Sequence, residues 1–352
     1  MSDEAGKPIE RSGALLLNLG TPDSPSVADV RRYLRQFLSD PRVLDMPATL
    51  RWLFLHGVIL PFRPKRTAAA YSKIWTPQGS PLLVHTRALG AAVAAQLGER
   101  WEVAVGMRYG SPSIRSAVER LAAAKVARLV VIPLFPQFSE AATGSAIAEV
   151  GAELGRAQLG VPVHTIRSFC DEAGFIRSVT ELMRGALDSF EPDHVLFSYH
   201  GLPERQVRSG DPTGSHCLET AGCCDVRDRP VAECYRAQCF ATSRALASAL
   251  ELDPQRHSNA FQSRMGATPW IQPFTDVAFA DLAARGVRRL IVVCPSFTAD
   301  CLETLEEIGI RGRDQWRGLG GDDLLAVPAP NSTATWSSAV ANLLRSNLPT
   351  EG

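Results

Sequence analysis

His200 closes the apolar run Val195-Leu-Phe-Ser-Tyr-His200 and is followed at once by Gly201, Leu202 and Pro203. Glycine and proline turn the chain there, and ligands of open α/β sheets sit beyond the carboxyl ends of the strands. An imidazole at that point titrates near neutral pH and can take a proton from a bound molecule; from position alone it serves equally well as a cap for the following loop. Glu303 and Glu307 stand four apart in CLETLEEIGI, with Glu306 beside them and Asp300 placed to cap a helix. On one helix face such a pair repels, so it costs stability unless a cation or a function uses it. A solvated acidic first turn, favoured by the helix dipole, is the competing reading. Five of the eight cysteines, Cys217, Cys223, Cys224, Cys234 and Cys239, crowd between residues 210 and 239. Thiolates confined to a loop hold zinc or iron–sulfur centres. Their spacing, C-x5-C-C-x9-C-x4-C, is not that of two C-x2-C pairs.

Elements that could position these groups are legible. Short runs rich in Val, Ile and Leu predict strands at Ala14–Leu19, Val103–Met107, Leu129–Pro133, Val161–Ile166, Val195–Tyr199 and Leu290–Cys294. Near-continuous apolar runs suit a parallel sheet covered on both faces. Ser24-Pro25 and Ser111-Pro112 have the form of an N-cap followed by proline at the first helical position. After the first, Val27, Val30, Tyr33, Leu34, Phe37 and Leu38 recur at helical spacing; after the second, Ile114, Val118, Leu121 and Ala122 do. Strand and helix alternate in both halves. The predicted fold is α/β, with two similar Rossmann-like, doubly wound domains and a cleft between them. The expected divisions are an N-terminal domain over 13–168 with an apolar lip at 46–66, and a C-terminal domain over 169–328 with a cysteine-rich insertion at about 213–239. A final helix within 329–352 is expected to pack back on the body. The apolar stretch Arg51–Phe62 reads either as a core helix or, because Arg63, Lys65 and Arg66 follow it, as an interfacial segment.

Four loops at strand ends add polar and aromatic groups: Met107-Arg108-Tyr109, Leu134-Phe-Pro-Gln137-Phe138-Ser139, Ala142-Thr143-Gly-Ser145, and Gln262-Ser-Arg-Met-Gly266 with Pro269 and Trp270. Together they describe a cleft wall for a flat, partly charged ligand. Lys plus Arg equals Asp plus Glu at 37 each, so the basic excess of a nucleic-acid binder is absent. No apolar run approaches the ~20 residues of a membrane span, and MSDEAGKPIERSG lacks the apolar centre of a signal peptide. The expected location is the cytoplasm, with peripheral contact at the inner membrane through the lip, and the expected state is monomer or homodimer. In that compartment thiols stay reduced, which favours metal binding over disulfides.

LLLNLGTPDSP, YSKIWTPQGSPL, PLFPQFSEAATGS, SYHGLPE, QSRMGATPW and SFTADCLETLEE follow one another in this chain. In kind and order they resemble the motifs of ferrochelatases, from about Ala14 to Ala329. The resemblance implies Fe2+ insertion into protoporphyrin to form haem, with coproporphyrin as the alternative porphyrin and two pyrrole protons released. His200 and Glu303 match the family's central histidine and glutamate, and Glu307 would extend an acidic track for the incoming dication. Where some members carry a histidine two residues before the glutamate, this chain has Cys301, a further candidate metal contact. The implied porphyrin contacts are Met46, Ser80, Arg108, Tyr109, Gln137, Phe138, Ser139, Thr143 and Trp270. Some ferrochelatases carry a [2Fe-2S] cluster on a cysteine-rich tail or internal segment. Residues 330–352 have no cysteine, so the internal segment is the expected site, with Cys217, Cys223, Cys224 and Cys234 as ligands. Cys239, which matches a cysteine of cluster-free relatives, is the alternative. Zinc or reduced thiols compete with the cluster. A cobalt chelatase of an early tetrapyrrole would need a more basic cleft, and a non-catalytic haem or metal carrier would not need the His200/Glu303 pair.

Overall fold

The computed structural model describes residues 10–219, 222–225, 233–266 and 268–349. In the first half, β1 (Ser12–Gly20), β2 (Trp101–Tyr109), β3 (Arg128–Pro133) and β4 (Val163–Thr165) form a sheet in the order β2-β1-β3-β4. In the second, β5 (His194–His200), β6 (His257–Gln262), β7 (Arg289–Val293) and β8 (Asp323–Ala326) form another in the order β6-β5-β7-β8. Every pairing is parallel. The first strand of each half therefore lies inside its sheet and the second at one edge, so the two halves repeat one winding. Leu15 pairs with Ala104 on one side and Val131 on the other, and Ala14, Leu15, Leu16 and Leu17 are fully buried. Burial on both faces is why the run is continuous and not alternating.

The apolar runs located β1, β2, β3, β4, β5 and β7, but not β6 and β8. These two are the edges of the second sheet. β6 reads HSNAFQ, with only its last three residues buried, and β8 has four residues. An edge strand needs no apolar run, because one side of it is unpaired and polar residues are tolerated there.

The helix starts also differ in detail. Ser26, not Ser24, caps the helix Val27–Leu38, accepting from the Asp29 amide, while Ser24 donates to the Asp29 carboxylate at 2.5 Å. Ser113, not Ser111, caps Ile114–Ala123 by accepting from the Ser116 amide. In both cases the proline precedes the cap instead of following it. The buried stripes fall on Val30, Tyr33, Leu34 and Leu38, and on Ile114, Ala117, Val118 and Leu121.

The halves are tied by the last helix, Ala334–Ser346, which packs on Pro81–Leu97 of the first half and Ala173–Phe190 of the second. Trp336 is fully buried there against Phe169 and Phe175, with ring centroids 5.5 and 5.7 Å away. Losing such a side chain to alanine costs roughly 3–5 kcal/mol. The same core cluster includes Leu16 of β1 and Phe197 of β5, so the two sheets share one apolar interior.

Candidate active site

β5 carries His200 to its carboxyl end, where the apolar strand stops at Gly201. The imidazole Nδ1 lies 2.6 Å from the Gly201 carbonyl oxygen. A carbonyl only accepts, so Nδ1 carries a proton and, in the neutral ring, the lone pair is on Nε2. That nitrogen has no protein hydrogen-bond partner among the described residues. The edge of Phe297 lies beside the ring at 6.4 Å between centroids.

The acidic segment departs from expectation. Glu303–Gly312 is a π-helical stretch leading into Arg313–Gly318, not an α-helix. Asp300 does not act as a simple cap. It accepts from Thr304 Oγ1 at 2.9 Å and from the Ala329 amide at 3.1 Å, and pairs reciprocally with Asn331, so it fixes the start of the π stretch to the loop after β8. Wide i→i+5 turns of this kind are uncommon and cluster at functional sites. Two more, Leu55–Ile59 and Glu140–Gly144, occur in this chain.

The three glutamates have different environments. Glu306 is buried and neutralised by Lys73 at 3.1 Å and Arg311 at 3.4 Å. Glu307 accepts from the Ser263 amide and hydroxyl. Burial pushes the Glu307 carboxyl above its usual range and the Glu303 charge adds to this, while Ser263, His200 and Arg311 oppose it. Glu303 and His200 are thus each within electrostatic reach of Glu307. The Glu303 backbone carbonyl accepts from Gln262 at the end of β6 at 3.1 Å. Cys301 is buried and hydrogen-bonded to Glu303; burial and the Glu303 charge push its thiol far up, so it is a neutral thiol.

The lip stands beside this wall. Ala48–Phe54, Leu55–Ile59 and Leu60–Ile74 run on as one helical rod. Leu55, Ile59 and Leu60 face inward, while Leu50, Trp52, Leu53, Phe54, Val58 and Phe62 are exposed, Phe62 at 75%. These are six of the ten large apolar side chains exposed among the described residues, so the stretch is both a packed helix and an apolar surface. Its basic end reaches the acidic wall. Burial and Arg66 press against the Arg63 charge, Glu303 supports it, and Arg63 also donates to Met265 Sδ.

Several expected porphyrin contacts are engaged with neighbouring protein groups. Arg108 pairs with Asp40 at 2.8 Å and Glu149 at 3.4 Å, and Tyr109 donates to the same Asp40 oxygen at 2.9 Å. Burial works against the Asp40 charge, but the Ser145 hydroxyl, the Arg42 amide, Tyr109 and Arg108 outweigh it and hold its carboxyl low. Ser80 accepts from Thr21 at 2.8 Å. Gln137 spans the two halves, donating to Thr242 and to the Pro295 carbonyl. The Phe138 amide donates to Gln238, and its ring lies under Arg167 at 4.5 Å. Ser139 caps the π stretch at Glu140–Gly144, and Trp270 donates to the Met265 carbonyl at 2.8 Å. The Met46 carbonyl accepts from Arg51 at 3.0 Å. Thr143 differs: it is fully buried, with a hydroxyl that has no partner among the described residues. Asp40 and Lys73 were not singled out from sequence, and Gln262 and Ser263 only as part of a polar loop, because single polar residues in loops and at strand ends carry no periodic signal.

Part of the expected insertion, residues 220, 221 and 226–232, lies outside the described residues. The four expected ligands are neighbours. Cys223 and Cys224 sulfurs are 3.8 Å apart, and Cys234 is hydrogen-bonded to both Cys217 and Cys224. Burial pushes the Cys217 and Cys223 thiols up, and the Cys234 hydrogen bond with burial does the same for Cys224. Cys217, Cys224 and Cys234 belong to the main apolar core. Asp211 organises the approach, accepting from Thr213, His216 and Cys217 amides. Among the described residues no three His, Cys, Asp or Glu side chains are arranged to hold a single metal ion. Cysteine is the donor type of a [2Fe-2S] group, as it is of zinc sites.

Two repeated doubly wound halves, with an imidazole at a strand end facing an acidic wall, define the chelatase class. The same fold is found in the sirohydrochlorin chelatase SirB of Bacillus subtilis subspecies spizizenii in complex with cobalt, at TM-score 0.55 and 8% identity, covering 96% of this chain and 95% of that one. SirB from Bacillus subtilis with Fe3+ matches at TM-score 0.51 and 12% identity, with the same coverage. The chain belongs to the ferrochelatase family, whose profile matches residues 11–348. The ferrochelatase of Coxiella burnetii (strain Dugway) is 48% identical over 344 residues, 98% of this chain and 96% of the relative. That of Legionella pneumophila (strain Paris) is 43% identical over 339 residues, 96% of this chain and 100% of the relative. The protein is a lyase that inserts iron into a porphyrin. Among the described residues no helix is long and apolar enough to cross a membrane.

Proposed function

We propose that the porphyrin is protoporphyrin IX and that His200 and Glu303 carry out the insertion. As Fe2+ binds the four pyrrole nitrogens, two N–H protons leave, so a dication replaces two protons and charge balances. His200 presents an unprotonated Nε2 and takes the protons. Glu303 delivers the metal or relays a proton, Glu307 extends the carboxylate path outward, and Cys301 lies beside that path as a neutral thiol. The observation that carries this reading is Gln262, which pairs with His200 across β5 and β6 and whose side chain donates to the Glu303 carbonyl at 3.1 Å, with both groups in electrostatic reach of Glu307. Arg108, Tyr109, Ser80, Gln137, Phe138, Ser139, Trp270, Met46 and Thr143 are the residues proposed to form the porphyrin cleft.

The apolar lip supports protoporphyrin, whose vinyl edge is apolar where coproporphyrin carries two further propionates. It also supports peripheral contact with a lipid surface, because Lys65 and Arg66 flank it. Purified protein assayed on both porphyrins side by side tests the choice: faster turnover of coproporphyrin overturns it, and stoichiometric binding without turnover overturns catalysis.

Cys217, Cys223, Cys224 and Cys234 would hold a [2Fe-2S] cluster, which supplies cross-linking of the loop when bound. Insertion of Fe2+ moves no electrons, so the chemistry needs nothing redox-active.

A further inference from the structure

His200 is held by its backbone as well as by its ring. Its carbonyl accepts from Tyr235 Oη at 2.7 Å, and its amide donates to Ser296 Oγ at 3.4 Å. Tyr235 Oη and Ser296 Oγ are themselves 3.1 Å apart. Tyr235 spends its proton on the His200 carbonyl, so Ser296 donates to Tyr235 and accepts from His200. The three groups close a ring of hydrogen bonds with every donor used.

The next amide is pinned from the opposite side, since Gly201 N donates to the Gln262 carbonyl at 2.8 Å. A Cβ on Gly201 would stand 2.9 Å from that carbonyl oxygen and 3.2 Å from the Trp270 ring, so the close approach requires glycine. The peptide joining His200 to Gly201 therefore cannot rotate while both clamps hold. It fixes the start of Gly201, whose own φ and ψ then place the Gly201 carbonyl, the partner of Nδ1. Tyr235 is fixed in turn. It opens the helix Tyr235–Ala249 directly after Cys234 and is hydrogen-bonded to Cys239. Its neighbour Arg236 donates to Cys224 Sγ at 3.0 Å and to the Gln272 carbonyl at 3.2 Å.

We propose that Tyr235 and Ser296 are positioning residues for His200, locking the following peptide so that Nε2 stays the unprotonated nitrogen. The proposal rests on His200 being the base.

The test uses the full chain with Tyr235→Phe, Ser296→Ala, the double variant and His200→Ala. Steady-state insertion of Fe2+ is measured together with imidazole 15N shifts, the His200 signal being assigned by its loss in His200→Ala. Tyr235→Phe keeps the ring and should lower kcat about tenfold with the porphyrin KM unchanged. Its His200 spectrum should show both tautomers where the wild type shows one. The double variant should be no worse than the more impaired single one, since one clamp is being removed. Wild-type kcat and a single tautomer in Tyr235→Phe, beside an inactive His200→Ala, would overturn the positioning role and leave the base assignment standing. A loss confined to KM would overturn it too. An active His200→Ala would overturn both.

Discussion

Ser263 holds both oxygens of Glu307, its amide donating to Oε1 at 3.0 Å and its hydroxyl to Oε2 at 2.5 Å. Ser263 does so from the left-handed backbone region, at φ 67°, which costs a serine roughly 1 kcal/mol. Burial lifts the Glu307 carboxyl, so the folded state binds its proton more readily than the unfolded chain does. Its charge is therefore a penalty at neutral pH that is relieved as pH falls. Glu307→Gln should melt higher than the wild type at neutral pH, with the gain shrinking in acid; a lower melting temperature at neutral pH would contradict this. Glu303→Gln should lower turnover strongly at every Fe2+ concentration, and Glu307→Gln mainly when Fe2+ is limiting. Identical profiles for the two variants would refute a graded path.

His200→Ala should abolish insertion while porphyrin binding, followed by Soret absorbance, and the melting temperature change little. The ring is half-buried, meets Phe297 edge-on and bonds to the adjacent carbonyl, so it sits at the edge of the core. Near-normal turnover would remove His200 from the mechanism.

His194, at the opposite end of β5, is buried and meets Ser258 at 2.8 Å. Burial first, then Arg285, His257 and Arg256, pull its pKa from 6.5 down to about 4. Between those values the unfolded chain takes up a proton that the folded one refuses. Stability should fall as pH drops from 6.5 towards 4, by up to about 3 kcal/mol, and this contribution should then level off. Urea unfolding across that range, compared with His194→Asn, measures it; parallel curves for the two proteins would exclude the effect.

Cysteine-to-serine substitution at residues 217, 223, 224 and 234 should each abolish the red-brown absorbance of protein from anaerobic, iron-replete cells, and lower the melting temperature. Cys239→Ser should keep the colour. Cys239 lies on the helix Tyr235–Ala249, fully buried and bonded to Tyr235. A colourless wild type would rule out the cluster, and bound zinc would favour the alternative.

The sequence alone determined what depends on neighbours along the chain. Continuous Val, Ile and Leu runs marked the inner strands β1, β3, β5 and β7, because a strand buried on both faces has no polar side to show, and apolar runs also located the edges β2 and β4. His200 was legible because an apolar strand ending in histidine and then Gly-Leu-Pro leaves its imidazole at the sheet end. The cysteines were legible by crowding. Tertiary structure decided the rest. The polar edge β6, the π-helical geometry after Leu302, the Asp40 claim on Arg108 and the Ser263 grip on Glu307 have no periodic signature. Tyr235 and Ser296 reach His200 across separations of 35 and 96 residues. Hydrogen bonds formed at such distances along the chain depend on where two sheets and a connecting helix come to rest, and that is set by the packing of the whole core, not by any local run of residues.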